Sequence, residues 1–301
     1  MARDWPEADR LRVLIEDAGW KVEDRGTDFA LSLAHATDVA EGKRVRYGTS
    51  QGVPSRLDEQ PVGLATVVLI ATDRPSDLAR TLGGLMVGAP LGTSIVIVGN
   101  GPSAEQAEAL EVAEAAPSGR LAVEVAWTSE RLGHGVAINV GLRRVSGPVA
   151  ILLDSSADPT GDFVTPLVRA LDDATIAIAG PWGVVSADLR HFEGAPSGDV
   201  DAIDGVCQAF RRADYASRGP LNEHFIDSRH LDIWWSLVLR DRGADEPPGR
   251  AVSLDGLPIG HHEQGAGDNL ANVERERLGK RNFYRFLDRF GARRDLLVHP
   301  G

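Results

Sequence analysis

Through the middle of the chain, short apolar runs alternate with stretches of helical spacing. "ATVVLIAT" (residues 65–72) is followed by a helical stretch through Leu78 to Met86, "SIVIVGN" by one through Glu105 to Ala115, and "LAVEVAWT" by one from Val136 to Val145, before "PVAILLD" closes the series. Uninterrupted apolar runs of five to eight residues are typical of strands buried on both faces, and their alternation with helices predicts a parallel sheet with crossover helices. In open sheets of this kind ligands sit beyond the carboxyl ends of the strands. Those ends are Thr72-Asp73-Arg74, Gly99-Asn100-Gly101, Ser129-Glu130-Arg131 and Asp154-Ser155-Ser156. Four polar tips are thus expected around one crevice.

The flanks read differently. Residues Glu7 to Gly19 space Leu11, Leu14 and Ile15 as a helix does, and "GWKVEDRGTDFALSL" alternates like a hairpin turning at Arg25 to Thr27. From Gly42 to Pro61 the chain is polar and without period, which predicts a linker or an extended arm and a boundary near residue 61. The expected organisation is a small N-terminal region over residues 1–60 and a main domain over 61–301. The second half is less regular: "IAIAGPWG", an Asp- and Gly-rich loop, "GVCQAFRRADY", a helix in "RHLDIWWSLVLRDRG", a short strand near Val252 to Leu254, then "IGHHEQG". A last helix from about Asn272 to Arg289 carries Leu278, Phe283, Phe286, Leu287 and Phe290 as a packing stripe.

Composition narrows the function classes. A chain of 301 residues, 43% hydrophobic, is long enough for one large domain, or for one domain with an appendage, and no apolar run approaches the roughly 20 residues of a membrane helix. The opening "MARDWPEADR" puts acidic residues where an export signal carries basic ones, and the lone Cys207 excludes an internal disulfide framework. Both suit a reducing cytoplasm. The net charge of −12 argues against a nucleic-acid groove, so any phosphate site must be local.

The order of the motifs resembles the family 2-like glycosyltransferases of the nucleotide-diphospho-sugar transferase, or GT-A, fold, over roughly Val62 to Gly265. "IATDRP" looks like that family's first strand and turn, "VIVGNGPS" like its second, and "SERLGHGVAINVGLRRVSG" like its Asn-Leu-Gly to Asn-x-Gly-Leu segment. "ILLDSSADP" stands in the place of its Asp-rich metal strand. "AFRRADYASRGPLNEHF" resembles the acceptor-side stretch, and "LDIWWSLVLRDRG" the helix that carries the catalytic aspartate. The resemblance implies an open, mixed but mainly parallel sheet flanked by helices, an inverting transfer from a nucleotide-diphosphate sugar to a hydroxyl acceptor, and Mg²⁺ or Mn²⁺ at the diphosphate.

Carried over residue by residue, it implies donor contacts from Thr72, Asp73, Arg74, Asn100, Arg131, Gly133 and Asn139. Gly133 opens a helix whose exposed N–H groups suit anionic oxygens, while Asn139 reads either as a solvent-side residue or as a bridge to the metal strand. The family's nucleoside-binding Asp falls on Gly99, and "GNGPS" reads equally well as a tight turn needing positive φ. Asp154 takes the place of the motif's first Asp, whereas Ser155 and Ser156 replace its other acids. Neutral hydroxyls are poor ligands for a hard cation, so Asp158 is expected to restore the lost carboxylate, and in "PIGHHEQG" the resemblance puts the family's late, metal- or diphosphate-facing histidine at His262. The expected metal set is thus Asp154, Asp158 and His262, assembled with the substrate's phosphates. The rival reading has Asp158 and Pro159 simply shaping a turn and capping a helix near Asp162.

Asp232 corresponds to the general base, with Asp227 or Ser228 expected to cap its helix and the helix dipole expected to keep it ionised. Leu231 and Trp234 stand where further acids are common. Trp234 and Trp235 suit either core packing or a sugar platform. The competing function is a binding or scaffold module that kept the fold but lost the chemistry, supported by Gly99, Ser155, Ser156, Leu231 and Trp234. A nucleotidyltransferase would need a Gly-rich basic loop after strand one, which "ATDRPSDL" lacks. For residues 1–60 the open roles are an edge cover, a homodimer contact or a partner site.

Overall fold

The computed structural model describes residues 10–11, 14–15, 18–25, 28–71, 73–115, 120–243, 245–262 and 272–299. Thr72 and most of the expected first helix lie outside them. The hairpin is present: β1 (Trp20–Arg25) pairs antiparallel with β2 (Asp28–Leu33), Trp20 opposite Leu33 and Arg25 opposite Asp28.

A second hairpin, β3 (Val39–Glu41) and β4 (Arg44–Tyr47), joins the large sheet, because β4 runs parallel to β7 (Ala122–Thr128). Part of the polar stretch expected as a linker is therefore an edge of the sheet. The chain then lays down β5 (Ala65–Ala71), helix α1 (Pro75–Gly88), β6 (Thr93–Gly99), α2 (Ala104–Ala115), β7, α3 (His134–Leu142) and β8 (Val149–Leu153). Strands β5, β6, β7 and β8 pair in parallel, with Val68 beside both Val96 and Leu152. Their side chains are almost all buried on both faces, which is why the sequence shows runs rather than alternation.

Beyond β8 the sheet turns mixed. A short β9 (Ala157–Pro159), α4 (Val164–Ala170), β10 (Ile176–Gly180), three small strands β11 (Gly183–Val185), β12 (Glu193–Ala195) and β13 (Gly198–Val200), and β14 (Ala202–Ile203) lead to β15 (Cys207–Arg211). β15 is antiparallel to both β8 and β10, and β16 (Arg250–Ser253) runs parallel to β10. The full order is β13-β16-β10-β15-β8-β5-β6-β7-β4-β3. Helices α5 (Arg212–Arg218), α6 (Leu231–Arg240) and α7 (Asn272–Phe290) follow, with β17 (Ile259–His261) pairing back onto β9.

Helix α6 is buried along nearly its whole length. Trp235 packs edge-on against Phe210 and Tyr215, and Trp234 against Phe225 and Phe290, so the tryptophan pair is core rather than sugar platform. The α7 stripe behaves as expected, with Leu278, Phe286 and Phe290 buried. Among the described residues no helix is long and apolar enough to cross a membrane.

Candidate active site

The carboxyl ends of β5, β6 and β7 meet, but mostly to hold one another. Asp73 accepts from the Ser103 N–H at 3.0 Å and forms an ion pair with Arg131 at 3.2 Å. The Arg74 N–H donates to Gln106, and its guanidinium lies 3.8 Å from Asp77. Asn100 is 4% exposed: its amide nitrogen donates to the Leu132 carbonyl and its oxygen accepts the Leu132 N–H at 2.8 Å. Gly101 has φ +53°, and a Cβ there would lie 2.3 Å from the Arg131 nitrogen, so the turn reading of "GNGPS" is correct on geometry.

Asn139 is fully buried and spent in the same way. Its amide nitrogen donates to the Leu221 carbonyl and Glu223, and its oxygen accepts from the Leu221 N–H and the Tyr215 hydroxyl. The Asn139 amide is thereby spent on structure, with no capacity left for a ligand, and the Asn100 amide is largely committed to Leu132. Gly133 caps α3 against Ile226, letting the His134 N–H donate to the Ile226 carbonyl.

A cavity of about 800 Å³ opens instead between the ends of β8 and β15 and the start of α6. Three carboxylates, Asp154, Asp204 and Asp232, and three imidazoles, His134, His230 and His261, face it together with Arg229. Asp232 sits in the first turn of α6. The Gly205 N–H donates to its Oδ2 at 3.1 Å, and Gln208, itself buried, donates to its backbone carbonyl. A Cβ on Gly205 would lie 3.2 Å from that of Asp232, so the Asp204-Gly205 turn grips the carboxylate closely.

Neither Asp227 nor Ser228 caps α6. The N-cap is His230, in the left-handed region at φ 65° with no side-chain cap bond, while Asp227 accepts from Arg229. The dipole was expected to dominate at Asp232, yet burial first and the Asp204 charge second push its pKa up to about 6, against the weaker pull of local N–H groups. A carboxylate in that range is mostly ionised at neutral pH and still takes a proton readily. Burial also lowers the His230 pKa, and its Nδ1 is buried without a partner among the described residues.

The expected metal residues are divided. Asp154 faces the cavity, with Oδ1 accepting the Ser156 N–H at 2.8 Å. Asp158 and His262 lie across the β9–β17 ladder and pair with each other at 3.2 Å, outside the cavity lining. Among the described residues, no group of three His, Cys, Asp or Glu side chains is placed to hold a metal. These side chains therefore do not build a cation site by themselves. The Asp158 cap reading fails too, since Asp162 accepts from the Thr165 N–H and hydroxyl.

Sequence reasoning missed Asp204, Gly205, Gln208 and His230, and noted His134 only as part of the helix start at Gly133. Asp204-Gly205 ahead of the buried run "VCQAF" was the available signal, a turn aimed at the end of a core strand.

An open, largely parallel sheet with a carboxylate-lined cavity beyond its strand ends is the GT-A architecture. The family model described as glycosyl transferase family 2 matches residues 66–219, just over half of the 301 residues, and the chain belongs to that family. Solved structures agree on the fold. A mannosyltransferase from Pyrobaculum calidifontis, solved with GDP-Man and Mn²⁺, superposes with a TM-score of 0.51 at 19% identity over 68% of this chain and 58% of its own. GalNAc-T7, solved with UDP, GalNAc and Mn²⁺, gives 0.58 at 16% over 96% of this chain and 57% of its own. The chain thus spans less than two thirds of either neighbour. No curated protein matches it by sequence. Glycosyl transfer is the activity class that family and fold support.

Proposed function

We propose that the protein is an inverting glycosyltransferase that moves a sugar from a nucleotide-diphosphate donor to a hydroxyl acceptor, with Asp232 as general base. The observation that carries this reading is Asp232 itself: an acid at the first turn of a buried helix, gripped by Gly205 and lifted to about 6, at the edge of a cavity beyond the strand ends. In the step, the acceptor hydroxyl gives its proton to an Asp232 oxygen while its own oxygen bonds to the anomeric carbon. The bond from that carbon to the diphosphate breaks on the opposite side, and the nucleoside diphosphate leaves with the electron pair. General-base assistance of this kind contributes typically ~10²–10⁴-fold.

The donor's nucleotide is assigned to the polar tips of β5 and β7, where Asp73, Arg74 and Arg131 keep partly exposed groups. The leaving diphosphate faces Arg229, whose guanidinium favours negative charge. Mg²⁺ or Mn²⁺ belongs to this proposal only as a cation held largely by diphosphate and water oxygens, with Asp154 the one carboxylate of the expected trio that faces the cavity.

A catalytically silent module is the second reading, favoured by Ser155 and Ser156 and by the missing three-residue metal group. Thermal-shift measurements with UDP-, GDP- and dTDP-sugars, with and without Mn²⁺, separate donor binding from none. Mass-spectrometric detection of donor hydrolysis then decides the chemistry. Loss of hydrolysis in Asp232→Asn with donor binding retained supports the enzyme; donor binding with no turnover in the native protein supports the module.

A further inference from the structure

The cavity continues past the carboxylates into the core. Leu152 stands beside Val68 on β5 and opposite Gln208 on β15, so these three side chains share one face of the sheet. Two residues further along each strand direction, Ile70 and Asp154 lie on the same face. All five line the cavity. Asp154 therefore marks the rim, and Val68 and Leu152 mark a floor one layer deeper. The opposite wall is Ile138 of α3 with Leu231 and Ile233 of α6. Ile138 and Leu152 keep 7% exposure and Ile233 keeps 9%, although all belong to the main core cluster.

Interiors are packed nearly as tightly as organic crystals, and apolar side chains facing open space forgo contacts that a filled core would give. A volume of about 800 Å³ falls in the range of small-molecule sites. Its layout is directional, with proton-accepting and charged groups at the rim and aliphatic groups below. At that depth a sugar bearing hydroxyls on every side meets a single polar side chain, Gln208, whose amide nitrogen is already given to the Ile203 and Asp232 carbonyls, and burying the sugar's remaining polar groups unpaired is expensive. A compound with a polar, hydroxyl-bearing head and an apolar tail matches both ends.

Building on the glycosyl-transfer reading, we propose that the chamber floored by Val68, Leu152 and Ile138 receives the apolar aglycone of the acceptor, an alkyl or aryl group whose hydroxyl-bearing end stays at Asp232. The protein thus selects amphiphilic acceptors over free sugars.

The test compares octyl β-glucoside, below its micelle concentration, with methyl β-glucoside on the full chain, by isothermal titration and saturation-transfer NMR. The octyl compound is expected to bind at least ~30-fold more tightly, with saturation on the chain methylenes, since each buried methylene adds to affinity. Ile138→Phe and, separately, Ile70→Phe fill the chamber from two walls. Each is expected to bring the two ligands within about threefold while the melting transition stays cooperative; the second variant covers failure of the first to fold. Equal binding of the two glucosides by the native protein overturns the proposal. So does an octyl preference that survives both folded variants, which places the tail elsewhere, such as on the exposed Phe29, Leu31 and Leu33 of the hairpin. Donor-induced stabilisation in the same samples judges the transfer reading separately: donor response without tail preference sinks the chamber alone, whereas tail preference without donor response keeps the chamber as a ligand site and removes its acceptor role.

Discussion

At the C-terminal end of α6, Arg240 is buried beside an opposite charge: its Nε donates to the Gly249 carbonyl at 2.9 Å and its Nη1 to the Asp201 carbonyl at 2.5 Å, while burial lowers its pKa against the pull of Asp201. The Asp201 carboxylate, 3.9 Å away, accepts from the Ser186 and Val298 N–H groups, each at 2.7 Å. At the N-terminal end of the same helix, Asp232 has the Gly205 N–H at 3.1 Å and a second carboxylate, Asp204, as neighbour. His230 caps the helix from a left-handed conformation with one ring nitrogen unmatched. Burial disfavours the charge at both ends of the helix, but at one an opposite charge offsets it and at the other a like charge adds to it, so one end is balanced and the other is not. Balance serves the fold, and its absence marks where chemistry is available.

Asp232→Asn tests this contrast most severely. Transfer, or donor hydrolysis in its place, is expected to fall ~10²–10⁴-fold. Stability is expected to rise. The folded pKa, about 6, lies above the ordinary 3.8 of the unfolded chain, so this group's favourable contribution is present below pH ~4 and lost as pH rises through ~6. At pH 7.5 the native protein holds a disfavoured charge that the amide lacks. A melting temperature that drops in Asp232→Asn would break the contrast.

At the balanced end the sign reverses. Arg240→Ala leaves the Asp201 carboxylate and two buried carbonyls without their cation, and breaking such a pair typically destabilises by ~3–5 kcal/mol. Urea unfolding measures it. The loss should not be recovered by donor, since Arg240 does not line the cavity.

Asp204→Asn is the intermediate case. Asp204 is anchored by accepting the Val206 N–H at 2.9 Å, and its charge is the second cause of the raised Asp232 pKa. Removing it is expected to move the acid limb of the kcat/KM profile from near pH 6 to lower pH, leaving more of the activity at pH 5. The other titratable or charged groups on this cavity, Asp154, His134, His230, His261 and Arg229, stay in place. An unmoved limb would assign the perturbation to burial alone.

The same contrast explains what could be read from residues alone. Runs such as "ATVVLIAT" announce buried strands because apolar transfer acts residue by residue, and β5, β6, β7 and β8 appear where the pattern puts them. Asp232 was legible through its motif. The structural work of Asn100 and Asn139 was not legible because an amide's partners are supplied by tertiary neighbours, Leu132 in one case and Leu221, Tyr215 and Glu223 in the other. Asp204 went unnoticed for the converse reason: 28 positions separate it from Asp232 in the chain, and only the meeting of the β14–β15 turn with α6 makes it part of the site. The metal residues were legible only in part for a similar reason: Asp158, on the β9–β17 ladder, pairs with His262 just past its end, and neither is among the residues lining the cavity that Asp154 faces.

His230 gives the smallest effect and the sharpest discrimination. Its φ of 65° places a Cβ where most side chains are strained, at a cost of order 1 kcal/mol that glycine avoids and asparagine partly avoids. The ring returns some of this by packing on Phe283, 5.5 Å between centroids. If the imidazole is kept only for packing, His230→Gly and His230→Asn should lie within about 1 kcal/mol of the native protein, His230→Ala should be the least stable of the three, and turnover should follow stability. If the unmatched nitrogen serves the reaction, all three should lose turnover alike, whatever their order in urea. A strained residue with an unused polar atom, two positions before the base and on the cavity wall, favours the second outcome, because strain of this kind persists where function holds it.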